Sequence, residues 1–565
     1  MKDINHLNCE EILNYPKNIE TNNLSDNFLS FATEFNNNNN INPFLDIPFN
    51  YSPEINLFNE NYNINNNYTR DIPFTKYPLP LIIERNYPLR FFDSQTQFGN
   101  ANNNKDFALT NYNESFSSIV SNIMIEYKEK IIPLLKKFFI DFALKLINDE
   151  PIQLAVIDLE KTCELDYDLG YYSFPLGTDK FKYKIYNLFD NLKTITRILK
   201  LSVIIRNKLS QLMPCTKREL YYENVDLFKS TDIIDSNESD LCSILGICKF
   251  DLPVFPSAKG LFCGNIILVN KYGNQLNINN SNMNNKINLI NYEYLIEDFD
   301  LDEKTKNYIN YIQNNNLFIG NNKEENMSRN NINDLCQKYF VLIIEKETLF
   351  FNLVGNYQFF RKFPNSIIIT GKGYPDYITK IFIKKLFNLV NIPFIYFGDH
   401  DPHGFEIYLN YIFGSIQSSK ENNFMCLGNI KWIGLSHENI EAILKFGMIN
   451  NEIMKEMGKE VDNNLIIKDN DYLNNENNSQ ETNGLIKLDT KDKLKIKNIL
   501  KREYFNSDEK WINSNNPYNE NILTNLKIIK NELCLMENSD YKAEGEYLIS
   551  KYFSDFLFLV EESIN

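Results

Sequence analysis

Four short apolar runs, each tied to a helical pattern, constrain this chain more than any other feature. YFVLIIEK (339–346) and SIIITGKG (366–373) are the first two, and helical PDYITKIFIKKLFNLV follows the second. PFIYFGDHD (393–401) leads into PHGFEIYLNYIFGS, and IKWIGL (430–435) precedes a further helical stretch. Continuous apolar runs suit strands covered on both faces. Their alternation with helices predicts an α/β domain built on a mostly parallel sheet. In such sheets functional groups gather beyond the carboxyl ends of the strands.

Acidic residues stand at those ends. Glu345 closes the first run, and Asp399 and Asp401 lie just past the third. Three carboxylates in one crevice repel one another, and a hard divalent cation is the natural compensation. Magnesium takes oxygen ligands and usually needs only one or two carboxylates beside a phosphate. An isolated Asp-x-Asp before Pro402 equally reads as a helix cap with proline in the first turn. Glu345, one strand away in the matching register, turns the reading toward a metal. Thr370-Gly371-Lys372-Gly373 ends the second strand, where backbone N–H groups and an ammonium suit a phosphate. It lacks the spacing of a nucleotide-binding loop. His400 and His403 read as neutral core or surface histidines.

Upstream the period changes. SFSSIVSNIMIEYKEKIIPLLKKFFIDFALKLI predicts one or two helices broken near Pro133, and residues 183–213 predict another long helix ending at Pro214. A short helix is expected near 239–247, and VFPSAKGLFCGNIILV (254–269) reads as strand. Helices followed by a small β element suggest a helix-turn-helix or winged-helix domain. Residues 1–110 are expected to be a poorly ordered extension. The Asn-rich stretches 35–42, 277–288 and 471–484 have little to bury, so 269–335 and about 449–484 read as loosely held insertions. A largely helical tail closes the chain.

The formal charge of −16 argues against a uniformly nucleic-acid-binding surface but leaves room for a local basic groove. Nine cysteines without a C-x-x-C pair suggest a reducing compartment rather than a disulfide framework. No run of 18 apolar residues predicts a membrane span.

The local groove has a candidate. From Asp190 to Glu219 the intervening residues include seven basic and no acidic side chains: Lys193, Arg197, Lys200, Arg206, Lys208, Lys217 and Arg218. The first three recur at helical spacing and give one positive face, which is equally readable as solvated surface. Thr216 and Glu219 have the spacing of a capping box opening a helix over KRELYY. On that helix Arg218 and Tyr222 share a face, while Tyr221 is rotated about 100° away into packing. Arg218 could clamp a phosphate and favour the Tyr222 phenolate. Among 33 tyrosines, Tyr222 is the candidate nucleophile.

KRELYYENVDLF, SAKGLFCGN, VLIIEKETLF, TGKGYPD, GDHDPHGFEIYLNYIFGS, IKWIGL and YKAEGEYL stand in order along the chain. As a set they resemble the meiotic double-strand-break transesterases, the "Spo-eleven" proteins related to the A subunit of topoisomerase VI. The resemblance covers most of 115–265 and 336–565. It implies a winged-helix, catabolite-activator-like domain (111–268) carrying the tyrosine, then a Toprim α/β domain (336–565), with Asn-rich insertions between and within. The enzyme class implied is a DNA-cleaving transesterase of the ATP-hydrolysing type II topoisomerase kind. Tyr222 and Arg218 match the family's catalytic pair, and Glu345, Asp399 and Asp401 its Mg2+ ligands. Lys259 falls in a loop resembling one that approaches DNA; Lys217, Lys372, Arg197 and Lys200 are further expected DNA contacts. Also implied are double-stranded DNA as substrate, a homodimer in which one subunit's tyrosine meets the other's metal, a topoisomerase VI B-like partner, and a nuclear location without membrane. GDHD departs from relatives that carry a small or apolar residue at the His400 position. Rival readings are a true topoisomerase VI A subunit, which reseals its cuts, and a catalytically silent DNA-binding scaffold.

Overall fold

The computed structural model describes residues 112–175, 180–270, 273–276, 286–291, 294, 299–319, 338–441 and 485–564. The extension 1–110, the stretch 35–42 and the insertion 449–484 lie outside them, as does most of 277–288.

The chain's apolar stripes become a helical unit first. Helix α1 (Tyr112–Ile147) runs unbroken through Pro133, contrary to the expected break. Ile131 and Leu135 are wholly buried on either side while Pro133 itself is exposed. The carbonyl that loses its partner to the proline therefore faces water, and packing on the opposite face keeps the axis continuous. Strands β1 (Gln153–Ile157) and β2 (Tyr183–Asn187) then pair antiparallel. This corrects the start of the second helical stretch. Tyr-Lys-Ile-Tyr-Asn can serve either period over five residues, and pairing with β1 decides for strand. Helix α2 (Leu192–Ser210) follows, burying Ile195, Ile198, Leu201, Ile205 and Leu209 against α1. Helix α3 (Lys217–Glu223) and helix α4 (Thr231–Leu245) complete the unit, α4 being longer than the 239–247 expectation.

The next strand leaves this unit. Strand β3 (Leu261–Gly264), expected beside the helices as their β element, pairs into the main sheet instead, and β4 (Asn288–Leu289) pairs onto its outer edge. The sheet is completed by β5 (Phe340–Ile344), β6 (Ser366–Thr370), β7 (Phe394–Phe397) and β8 (Lys431–Trp432). Its order is β8-β7-β5-β6-β3-β4, with β8, β7, β5 and β6 parallel, β3 antiparallel to β6, and β4 antiparallel to β3. The four apolar runs are therefore the parallel strands. β5 to β7 are buried at every position because helices cover both faces. Helix α5 (Glu347–Val354) packs Leu349, Phe350 and Leu353 with Phe340, Leu342 and Ile344. Helix α6 (Tyr377–Leu389) and helix α7 (Pro402–Phe413) carry the connections between strands.

The Asn-rich segment 269–335 is not wholly loose. Ile290, Tyr294, Phe299 and Leu301 are buried, and Tyr294 and Phe299 pack their rings on Phe382 of α6. A few large apolar side chains anchor short pieces of an otherwise polar stretch. The tail is helical: α8 (Thr490–Leu500), α9 (Asn519–Ser539), then strand β9 (Tyr541–Ala543), α10 (Gly545–Lys551) and α11 (Phe553–Ile564). Phe556, Val560 and Ile564 of α11 enter the same core as α5. Among the described residues no helix is long and apolar enough to cross a membrane.

Candidate active site

Helix α3 is short, and its start is held by side chains. Glu219 N–H donates to Thr216 Oγ1 at 3.2 Å, and Thr216 N–H donates to Glu219 Oε2 at 2.6 Å. This is the capping box expected from the sequence. Leu220 is fully buried and roots the helix, whereas Tyr222 is 72% exposed. Tyr221 is half-buried, its ring 5.4 Å from that of Tyr222. Arg218 is exposed one turn before Tyr222. The helix thus presents a phenol and a guanidinium outward together.

The acids collect where the parallel register ends. Ile344 sits beside Phe397 and Thr370, so Glu345 and Asp399 leave neighbouring strands at almost the same level. Both are buried. Asp399 N–H donates to Glu345 Oε2 at 3.0 Å, and the Tyr396 hydroxyl reaches the same oxygen at 3.5 Å. A Cβ on Gly398 would lie 2.7 Å from that oxygen, and one on Gly404 would lie 2.8 Å from it. Only glycine at these two positions lets the backbone close on the carboxylate. Asp401 accepts from Gly404 N–H at 2.5 Å and caps α7, with Pro402 in the first turn. The capping role weighed from the sequence is therefore real for Asp401, though its charge still acts on Glu345.

The electrostatics are those of crowded anions. Burial, then the charges of Asp399 and Asp401, push the Glu345 carboxyl up to about 8. Burial also raises Asp399, but the Lys346 ammonium and Gly545 N–H oppose it and leave it at about 6. Among the described residues no three His, Cys, Asp or Glu side chains close into a ready-made cage. The paired oxygens instead suit a hard cation that keeps most of its waters and takes one or two carboxylates.

The chain's late segment clasps this crevice, in a way the sequence reading missed. His400 and Ala543 exchange backbone hydrogen bonds of 2.9 and 3.0 Å. Gly545 N–H donates to Asp399 Oδ1 at 2.8 Å. Lys346 Nζ lies 2.8 Å from Asp399, 2.9 Å from Glu544 and 2.7 Å from Glu546. The signal available was the motif YKAEGEYL itself, whose acids flank a glycine. The His400 ring is fully buried, its Nδ1 2.8 Å from Leu435 O and its edge on Phe405. Burial pushes its pKa down to about 4, so it is a neutral packing residue. His403 is exposed.

The expected basic contacts are distributed unevenly. Lys217 is largely buried and bridges Asp235 and Glu238, 2.9 Å from the latter, so its ammonium is engaged inside the fold. Arg197 Nε donates to Leu227 O at 2.8 Å, fastening α2 to the segment after α3. Lys200, on the same helix, is half-buried. Lys259 donates to Tyr374 O, and Lys372 pairs with Glu347 at 2.8 Å. Lys372 has φ 54, which lets Gly373 N–H reach Glu345 O at 2.9 Å and folds the TGKG turn onto the end of β5. No hydrogen bond or ion pair among the described residues links Tyr222 or Arg218 to the three acids.

Two family models match in these regions. Residues 340–513 match the Toprim domain shared by Spo11 and the A subunit of topoisomerase 6, and residues 193–254 match "Type IIB DNA topoisomerase". In both regions the chain is similar to the family of Spo11 and the topoisomerase VI A subunit. Its α/β sheet is accordingly a Toprim domain. A rice protein, "Meiotic recombination protein SPO11-1", is 26% identical over 280 residues, covering 49% of this chain and 61% of the relative. Mouse "Meiotic recombination protein SPO11" is 25% identical over 360 residues, 63% of this chain and 67% of the relative. The A subunit of Arabidopsis DNA topoisomerase 6 is 25% identical over 248 residues, 44% of this chain and 48% of the relative. The chain thus spans about three fifths of the rice relative's length.

Proposed function

We propose that this protein breaks duplex DNA by transesterification, with Tyr222 as nucleophile, to start meiotic recombination. The exposure of Tyr222 on a capped helix, beside Arg218, carries the reading. The Tyr222 oxygen attacks a backbone phosphorus as the bond from phosphorus to the 3′-oxygen breaks. The product is a 5′-phosphotyrosyl link and a free 3′-hydroxyl, whose proton balances the one lost by the phenol. Phosphodiester energy stays in the protein–DNA bond, as in other covalent catalysis. Arg218 neutralises charge on the attacked phosphate.

Glu345, Asp399 and Asp401 would hold Mg2+, which when bound supplies Lewis-acid stabilisation of phosphate oxygens. Glu345 and Asp399 are fixed by strand ends and the Gly545 contact, so they meet such an ion without large rearrangement. Asp401 would add a third carboxylate to that ion while also capping α7. Since Tyr222 makes no bonded contact with these acids in its own chain, the reading pairs two copies, each tyrosine serving the other copy's acids. Two phenols then cut both strands.

In this reading the unit expected over 111–268, less the strand Leu261–Gly264 that joins the sheet, acts as a winged-helix DNA-binding domain, with Arg197, Lys200, Lys259 and Lys372 near the phosphates and Lys217 bracing α3. A topoisomerase VI B-like protein is the expected partner, and any ATP hydrolysis belongs to it. The setting is the nucleus. The likeness to the Arabidopsis topoisomerase 6 protein favours one rival, an enzyme that reseals its cuts. Incubating the full chain with duplex DNA and Mg2+, then denaturing, tests the proposal. Wild type and Tyr221→Phe should give covalent adducts and Tyr222→Phe none; relaxed, resealed circles with an added ATPase partner would favour the rival.

A further inference from the structure

The Lys346 ammonium has three protons to donate, and three carboxylates surround it at hydrogen-bond distance: Asp399, Glu544 and Glu546. Their environments differ sharply. The Asp399 side chain is 5% exposed, whereas Glu546 is 31% and Glu544 50% exposed. One bond therefore points into the crevice shared with Glu345, and two point toward solvent-facing groups. Gly545, between the two glutamates, also holds the other oxygen of Asp399. Thr348 donates to Glu546 and steadies it from α5. The segment Glu544–Gly545–Glu546 thus both positions Asp399 and offers Lys346 an alternative.

We propose that Lys346 is a positioning residue that occupies Asp399 as a resident cation and is retained by Glu544 and Glu546 when a divalent ion takes that carboxylate. This rests on the metal reading of Glu345 and Asp399 above. Loading then requires the ammonium to give up one hydrogen bond of three. The buried carboxylate is never left without a cation, a state that burial strongly disfavours. The two glutamates influence the metal without touching it, through where they hold Lys346.

The test is Mn2+ binding to the full-length protein, read by electron paramagnetic resonance in a double-mutant cycle, with melting temperatures confirming that each variant folds. Lys346→Met should tighten Mn2+ binding by roughly tenfold, since a competing unit charge beside Asp399 is gone. Glu544→Gln combined with Glu546→Gln should weaken binding by roughly tenfold, because Asp399 is then the one anionic partner among the three around Lys346. In the Lys346→Met background the same glutamine pair should have little further effect. If the pair weakens Mn2+ equally in both backgrounds, the glutamates act by plain long-range attraction and the proposal is wrong. Should Lys346→Met fail to fold, Lys346→Gln enters the cycle in its place. If wild type shows no Mn2+ signal that Glu345→Gln removes, the metal reading itself has failed, and the role of Lys346 with it.

Discussion

Gly398 offers the sharpest probe of how the crevice is built. A methyl at this position would sit 2.7 Å from Glu345 Oε2 and 2.7 Å from Cε1 of the Tyr396 ring. Comfortable contacts between carbons need about 3.5–4.0 Å, so the overlap approaches an ångström on the ring side. Tyr396 is fully buried and cannot swing aside, so the carboxylate must move. Overpacking costs about 1–3 kcal/mol. Losing the Asp399 N–H bond to Glu345, whose raised carboxyl is largely neutral near pH 7, adds about 0.5–1.5 kcal/mol. Gly398→Ala should therefore lower stability by about 3 kcal/mol and weaken Mn2+ binding at least tenfold. Urea denaturation and Mn2+ titration measure the two separately. A variant within about 0.5 kcal/mol of wild type with unchanged Mn2+ affinity would refute the close-packed carboxylate cradle.

Two further outcomes follow from charge pairs outside the crevice. Burial alone would raise the Glu406 carboxyl, but hydrogen bonds from Lys495 and Tyr374 and the charge of Arg502 hold it at about 2, below its ordinary 4.5. Being depressed in the folded state, it adds stability that is complete above about pH 5 and lost as pH falls toward 2, worth at most about 3 kcal/mol. Glu406→Gln should flatten the acid limb of a stability profile, and an unchanged limb would show the network contributes nothing. Lys217→Ala should destabilise by about 3 kcal/mol, because it strands the buried Glu238. A stable Lys217→Ala protein that loses only DNA affinity would return Lys217 to the phosphate contacts.

The sheet and its acids were legible because both follow local rules. Short β-branched apolar runs such as FVLII and SIIIT, alternating with helices, suit doubly covered strands, and the parallel register brings Glu345 and Asp399 level. The Thr216–Glu219 box likewise depends on residues three apart. What the sequence hid depends on distant partners. Tyr183–Asn187 is strand because Gln153–Ile157 lies beside it, and Leu261–Gly264 joins the Toprim sheet because Ser366–Thr370 leaves an open edge. Pro133 sits inside a continuous helix because packing on the far face outweighs its local cost. The Lys346 clasp needs residues 198 and 200 positions away in the chain, beyond any local pattern. Lys217, Lys259 and Lys372 read as free cations along the chain, yet each meets a partner only the fold supplies.

Sequencing DNA ends recovered covalently with the protein from meiotic cells, in wild type, Tyr222→Phe and Tyr221→Phe, decides whether Tyr222 is the nucleophile. The 5′ ends should be joined to a tyrosyl peptide containing residue 222, absent from Tyr222→Phe and retained in Tyr221→Phe. Adducts persisting in the Tyr222→Phe protein, or mapping to any other tyrosine, would contradict that assignment.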